Sequence, residues 1–112
     1  METTRQQKIS RLLQKDIAGI IQENGKSWFG NALITVTKVS VTRDLSIARV
    51  YLSLFAVNSK ADLFAQIEEH GREIRVILAN RVKNQLRQVP ELEFFIDDSL
   101  DYIERIEKLL DD

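Results

Sequence analysis

The sequence predicts an α+β fold, a three-stranded sheet with helices packed on one side, and three observations carry that prediction. Apolar residues recur at helical spacing near the start of the chain and again between residues 60 and 84. Two runs rich in Val, Ile and Thr, Leu33 to Thr42 and Ile47 to Phe55, flank the polar reversal TRDLS. The only proline, Pro90, opens a third run in which Leu92, Phe94 and Ile96 alternate with Glu93, Phe95 and Asp97. Proline has no N–H to donate, so it suits the mouth of a strand and not its centre.

Taken in order, the chain opens with Thr4 and Gln7 in the form of a capping box, followed by Ile9, Leu12, Leu13, Ile17, Ile20 and Ile21. These predict a first helix to about Glu23. Its cations Arg5, Lys8, Arg11 and Lys15 fall within roughly a 120° arc beside the apolar stripe, uninterrupted by any acid, as an anion-binding face requires. The Asn-Gly and Gly-Asn pairs of NGKSWFGN predict a loop over Asn24 to Asn31, pinned to the core by Trp28 and Phe29. Gly25, Lys26 and Ser27 resemble the end of a phosphate-binding loop, but the position needing the first glycine is Ile20, inside a helix.

The two Val/Ile/Thr runs make a long antiparallel hairpin. Ala48, Val50, Leu52 and Leu54 form its core face, while Arg49, Tyr51 and Lys38 lie on the other. Ser59 caps a helix from Lys60 carrying Leu63, Phe64 and Ile67, and His70 with Gly71 breaks it. A further helix from about Arg72 to Asn84 uses Ile74, Ile77, Leu78 and Val82. It projects Arg72, Arg75 and Lys83 within roughly an 80° arc, while Arg81 falls on the apolar side and snorkels. After the Pro90 strand, Asp98 or Ser99 caps a last helix with the stripe Leu100, Ile103, Ile106 and Leu110 and the pairs Asp101–Arg105 and Glu104–Lys108.

A chain of 112 residues is one domain, residues 1–112, long enough to bury its own core. It has no cysteine, no apolar leader behind Met1 and no 18-residue apolar run, which excludes a disulfide scaffold and thiol catalysis and predicts a cytoplasmic, non-membrane protein. The net charge of −1 conceals a division. Residues 1–88 carry 14 Lys+Arg against 8 Asp+Glu, or +6, and residues 89–112 carry 2 against 9, or −7. A polyanionic partner for the first block is compatible with that near-neutral sum.

Catalytic chemistry is missing. His70 is the single histidine and has no cysteine beside it to complete a metal set, and no glycine-rich nucleotide fingerprint or nucleophile elbow occurs. Asp97, Asp98 and Asp101 form a close acidic group of the kind that holds a divalent cation, but helix capping and solvation account for two of them without one. No metal, cofactor or small-molecule substrate is expected.

The order helix, strand, strand, helix, break, helix, strand is that of a type II KH-like domain, here with an added C-terminal helix. The residues go further. The segments RQQKISRLLQKDIAGII, ITVTKVSVTRDLSIARVYLSLF, IRVILANRV and VPELEFFIDDS resemble the bacterial ribosome-binding factor A family over nearly the whole chain. Its two most specific patterns here are D-L-S-x-A-x-V at Asp44 to Val50 and V-P-E-L-x-F-x-x-D-x-S at Val89 to Ser99. The resemblance implies a non-catalytic protein that binds the immature small ribosomal subunit through ribosomal RNA near the decoding region. It also implies a part in late subunit maturation, pre-rRNA processing and cold adaptation. Like that family, the chain lacks a G-x-x-G loop. Where typical members have an Ala-x-Gly kink, it reads His70, Gly71, Arg72, and it ends soon after the last helix, without the longer tail of some members.

Residues and resemblance meet on one expectation, a monomer whose Arg5, Lys8, Arg11, Lys15, Arg72, Arg75 and Lys83 contact rRNA phosphates, positioning the protein without reading sequence. The alternative is a protein-interaction module acting through the acidic last helix or an exposed strand edge.

Overall fold

A computed structural model describes residues 2–55 and 57–97. Its elements are α1 (Thr4–Phe29), β1 (Leu33–Val41), β2 (Ile47–Phe55), α2 (Lys60–Glu69), α3 (Gly71–Val82) and β3 (Glu91–Ile96). The expected last helix and its ion pairs lie outside the described residues.

The sheet order is β1-β2-β3, with β1 and β2 antiparallel and β2 and β3 parallel. The register Val36↔Leu52, Val39↔Val50 and Val41↔Ala48 puts one apolar row from each strand on the same face. Phe94, opposite Val50, extends that face into β3. The helices cover it with Ile9, Leu13, Ile17, Ile20 and Ile21 of α1, Leu63 and Ile67 of α2, and Ile74, Leu78 and Val82 of α3, all buried. The result is one two-layer core.

Between β1 and β2 the chain turns through Leu45, whose φ of 62° is unusual for a residue with a Cβ. Asp44 holds this turn. Its Oδ1 accepts from the Thr42 and Ser46 hydroxyls and from the Ser46 amide. Those bonds, the Ser46 hydroxyl first, hold the Asp44 carboxyl below its ordinary range. A bulge at Thr37 interrupts the β1 register, and the Thr37 hydroxyl donates to Asp97 Oδ2 at 2.6 Å, across β2.

Three local expectations are corrected. The first helix is capped by Thr3 and Gln6, one residue earlier than Thr4 and Gln7, because Gln6 is buried and its amide also donates to the Val41 carbonyl. That tertiary bond selects the frame. The same helix runs on to Phe29 instead of ending near Glu23, so NGKSWF is helical. Asn24 turns its amide back onto the Ile20 carbonyl, and Phe29 is buried while Trp28 packs against the core. Their burial outweighs the cost, about 1 kcal/mol relative to alanine, of Gly25 inside a helix. Gly30, at φ 68° and ψ −133°, ends it instead. The third helix ends at Val82, two residues short of Asn84, in a turn made by the Gln85 and Leu86 amides on the Val82 carbonyl.

The break between α2 and α3 is a single residue, His70. Its amide donates to Gln66 O and its carbonyl accepts from Ile74, so hydrogen bonding continues through the bend. Its ring stacks on Trp28, centroids 4.7 Å apart at 13°, and its Nδ1 lies 3.0 Å from Glu73 Oε1. Gly71 lets the bend approach β3 closely: a Cβ there would stand 3.3 Å from Phe94 Cε2.

Candidate nucleic-acid interface

The start of α1 and the chain from α3 to β3 lie side by side, and two grooves open along their junction. One, of about 400 Å³, is lined by Thr4, Arg5, Lys8, Ile9 and Leu12 of α1 with Gln85 and Leu86. The other, of about 580 Å³, is lined by Arg72, Arg75, Val76, Ala79 and Lys83 with residues 86–89. Leu86 belongs to both. The two basic groups expected from the sequence, far apart in the chain, thus meet across one half-buried leucine.

The grooves share a chemistry. Their cationic rims are Arg5 and Lys8 on one side and Arg72, Lys83 and Arg87 on the other, all exposed, and among the described residues no Asp or Glu lines either groove. Apolar side chains line the grooves beside these cations, Ile9, Leu12 and Leu86 in one and Val76, Ala79, Leu86 and Val89 in the other, with Val76 58% exposed in the middle of α3. Such a surface suits a chain of phosphates linked by sugars and bases, the charges meeting the cations and the less polar parts the apolar side chains.

Not every expected residue has the same place. Arg11 and Lys15 are exposed on α1 but line neither groove; they continue the basic stripe along the helix. Arg75 is half-buried, and its guanidinium donates from Nε to Pro90 O at 3.1 Å and from Nη2 to Val89 O at 2.9 Å. It holds the entry to β3 and thereby the segment that carries Arg87. Arg81 snorkels as its position on the helix predicts: its guanidinium lies over Gly19 and pairs with Glu23 of α1.

Arg87 is the groove residue that sequence reasoning missed. It sits in a non-periodic stretch between a helix and Pro90, where no spacing argument reaches. Its only signal is its share in the excess of cations over residues 1–88. The aromatic pair expected to pin a loop does pin the chain, but from the last turn of α1, where Trp28 and Phe29 flank the His70 ring.

Comparison with known proteins decides the family. The family model described as ribosome-binding factor A matches residues 5–110. The chain belongs to the ribosome-binding factor A family. Its members are non-enzymatic ribosome assembly factors. Ribosome-binding factor A of Flavobacterium psychrophilum is 49% identical over 111 residues, covering 98% of this chain and 85% of the relative. That of Flavobacterium johnsoniae is 50% identical over the same length and shares. Among solved structures, the crystal structure of ribosome-binding factor A from Thermus thermophilus superposes with a TM-score of 0.69 at 25% identity, over 81% of this chain and 94% of that one. A Thermus thermophilus homology model fitted into a cryo-EM map of a 30S complex gives 0.63 at 29% identity, over 80% and 91%. The type II KH-like architecture is that of the family. Among the described residues no helix is long and apolar enough to cross a membrane.

Proposed function

We propose that this chain binds the 30S ribosomal subunit through ribosomal RNA, with Arg5, Lys8, Arg72, Lys83 and Arg87 on backbone phosphates and Arg11 and Lys15 extending the contact along α1. Arg75 serves the same surface by holding the segment 86–90. The observation that carries this reading is the pair of cation-rimmed grooves joined at Leu86, lined by no Asp or Glu among the described residues. Membership of the family supports it, as does the 30S complex containing the Thermus homologue.

Bound there as a cytoplasmic monomer without a cofactor, the protein holds an immature RNA conformation and leaves when the site matures, assisting late subunit assembly and pre-rRNA processing, including in the cold. Phosphate contacts fix its place, while the shape of the immature RNA supplies the selection.

Co-sedimentation with small subunits tests the reading. Wild type should travel with the subunit at low salt, and Arg72→Glu with Lys83→Glu should weaken association by about tenfold or more. The salt dependence of the double variant should also be shallower, since fewer cations neutralise phosphate. Unchanged association of the double variant would remove these grooves from the interface.

A further inference from the structure

β3 is an outer strand of the sheet, and its free edge borders a groove of about 540 Å³ between itself and the α2–α3 bend, lined by Glu68, Gly71, Arg72, Arg75 and residues 91–95. The amides of Glu91 and Asp97 are directed at β2, onto the carbonyls of Ser46 and Leu52. By the alternation of a parallel pair, the backbone groups of Leu92 and Phe94 point the other way, with no strand beside them among the described residues.

Two cross-strand rungs on the open face of the sheet end at this same edge. In the first, Lys38 Nζ lies 6.0 Å from the Tyr51 ring centroid, and the Tyr51 and Phe95 rings stack 5.3 Å apart at 25°. In the second, Arg49 Nε lies 3.7 Å from Glu93 Oε1. Each rung stops on an exposed group, the 39% exposed ring of Phe95 and the half-exposed carboxylate of Glu93, with Glu91 next along the strand.

We propose that the β3 edge receives an extended, basic polypeptide segment as a fourth strand. Lys or Arg at every second position would continue both rungs, a cation against Glu93 and Glu91 and a guanidinium over the outer face of Phe95. The intervening side chains would enter the groove beside Gly71. Main-chain pairing supplies the binding and the carboxylates select the sign of charge.

Charge also decides against other occupants. Glu68, Glu91 and Glu93 outnumber Arg72 and Arg75 in this groove and oppose phosphate, whereas no Asp or Glu among the described residues lines the neighbouring groove. A second copy pairing through β3 would place like carboxylates together, and the chain's own residues 98–112 carry six Asp+Glu against two Lys+Arg. This edge lies outside the cationic rims assigned to RNA except for Arg72 on the shared wall, so either reading stands or falls without the other.

The test uses the full chain with a fluorescein-labelled probe peptide of alternating Arg and Val, a glutamate version of it, and an arginine version of equal charge interrupted by prolines. The arginine–valine probe should bind and slow hydrogen exchange at the amides of Leu92 and Phe94. The proline-interrupted probe, which cannot pair along a strand, and the glutamate probe should bind at least about tenfold more weakly. Glu91→Lys with Glu93→Lys, both exposed, should weaken the first probe by roughly fivefold to tenfold. Equal binding of the two arginine probes would mean charge attraction alone and would overturn the proposal. So would protection appearing at β1 instead of β3, or a double variant that binds as wild type does.

Discussion

Arg72 and Arg75 lie within one turn of α3, yet the two side chains serve different ends. Arg72 is exposed on a groove wall, whereas Arg75 directs two N–H groups at the carbonyls of Val89 and Pro90. Arg72→Ala should leave stability within about 0.5 kcal/mol and weaken RNA binding, because it removes a surface charge. Arg75→Ala should cost roughly 1–3 kcal/mol in denaturant unfolding, because two carbonyls lose a charged donor. Equal stability of the two variants would refute the distinction. Asp44 gives a pH-dependent counterpart. Its carboxyl titrates below its ordinary value of 3.8 in the folded chain, so the stabilisation its ionised form gives is present above that value and is lost as pH falls through the folded pKa. Asp44→Asn should therefore show a flatter fall in stability below about pH 4 than wild type, as measured by thermal unfolding across an acid series. The sequence marks both arginines as cations on one helical arc; only the position of the Val89 and Pro90 carbonyls separates clamp from contact.

At the scale of elements, α1 shows where local signals mislead. Asn24-Gly25 reads as a turn, but the Asn24 amide serves the helix, and the burial of Phe29 carries the helix through the glycine. A Cβ at Gly25 would meet nothing nearer than Ile21 Cγ2 at 4.0 Å. Gly25→Ala should therefore stabilise the protein by about 0.5–1 kcal/mol, visible as a rise of a few degrees in Tm. Gly30→Ala should do the opposite, by about 1–3 kcal/mol, since its φ of 68° with ψ −133° belongs to glycine. A loss of stability in the first variant would return NGKSWFGN to a loop. By contrast the strands and the break were legible: the two Val, Ile and Thr runs placed β1 and β2 and the alternation after Pro90 placed β3, each to within a residue, and the His70-Gly71 pair placed the bend. In those segments, apart from the Thr37 bulge of β1, the local pattern and the tertiary burial agree, so propensity was not overridden.

On the scale of the whole molecule, the fold separates two surfaces by charge. The cation-rimmed grooves, with no Asp or Glu among the described residues lining them, and the β3 edge, where three carboxylates outnumber two guanidiniums, meet at Arg72 and Arg75 of α3, although the net charge is only −1. With the five groove cations on phosphates, affinity for small-subunit RNA should fall by roughly two to three orders of magnitude between about 50 and 200 mM salt. A salt-independent affinity, measured by filter binding across that range, would exclude phosphate contact as its source.

Which residues alternate, which recur at helical spacing and how charge divides along the chain are properties of the sequence alone. They determined the element order, the apolar faces of β2 and β3 and the presence of a basic helical surface, because these periodicities follow from backbone geometry that every residue shares. The tertiary structure alone decided that α1 continues to Phe29, that Arg87 joins the groove, that Arg75 is a clamp, and that Lys38, Tyr51 and Phe95 stand in one row. Those outcomes depend on contacts between residues far apart in the chain, and no local period encodes which distant carbonyl, ring or carboxylate a side chain will meet.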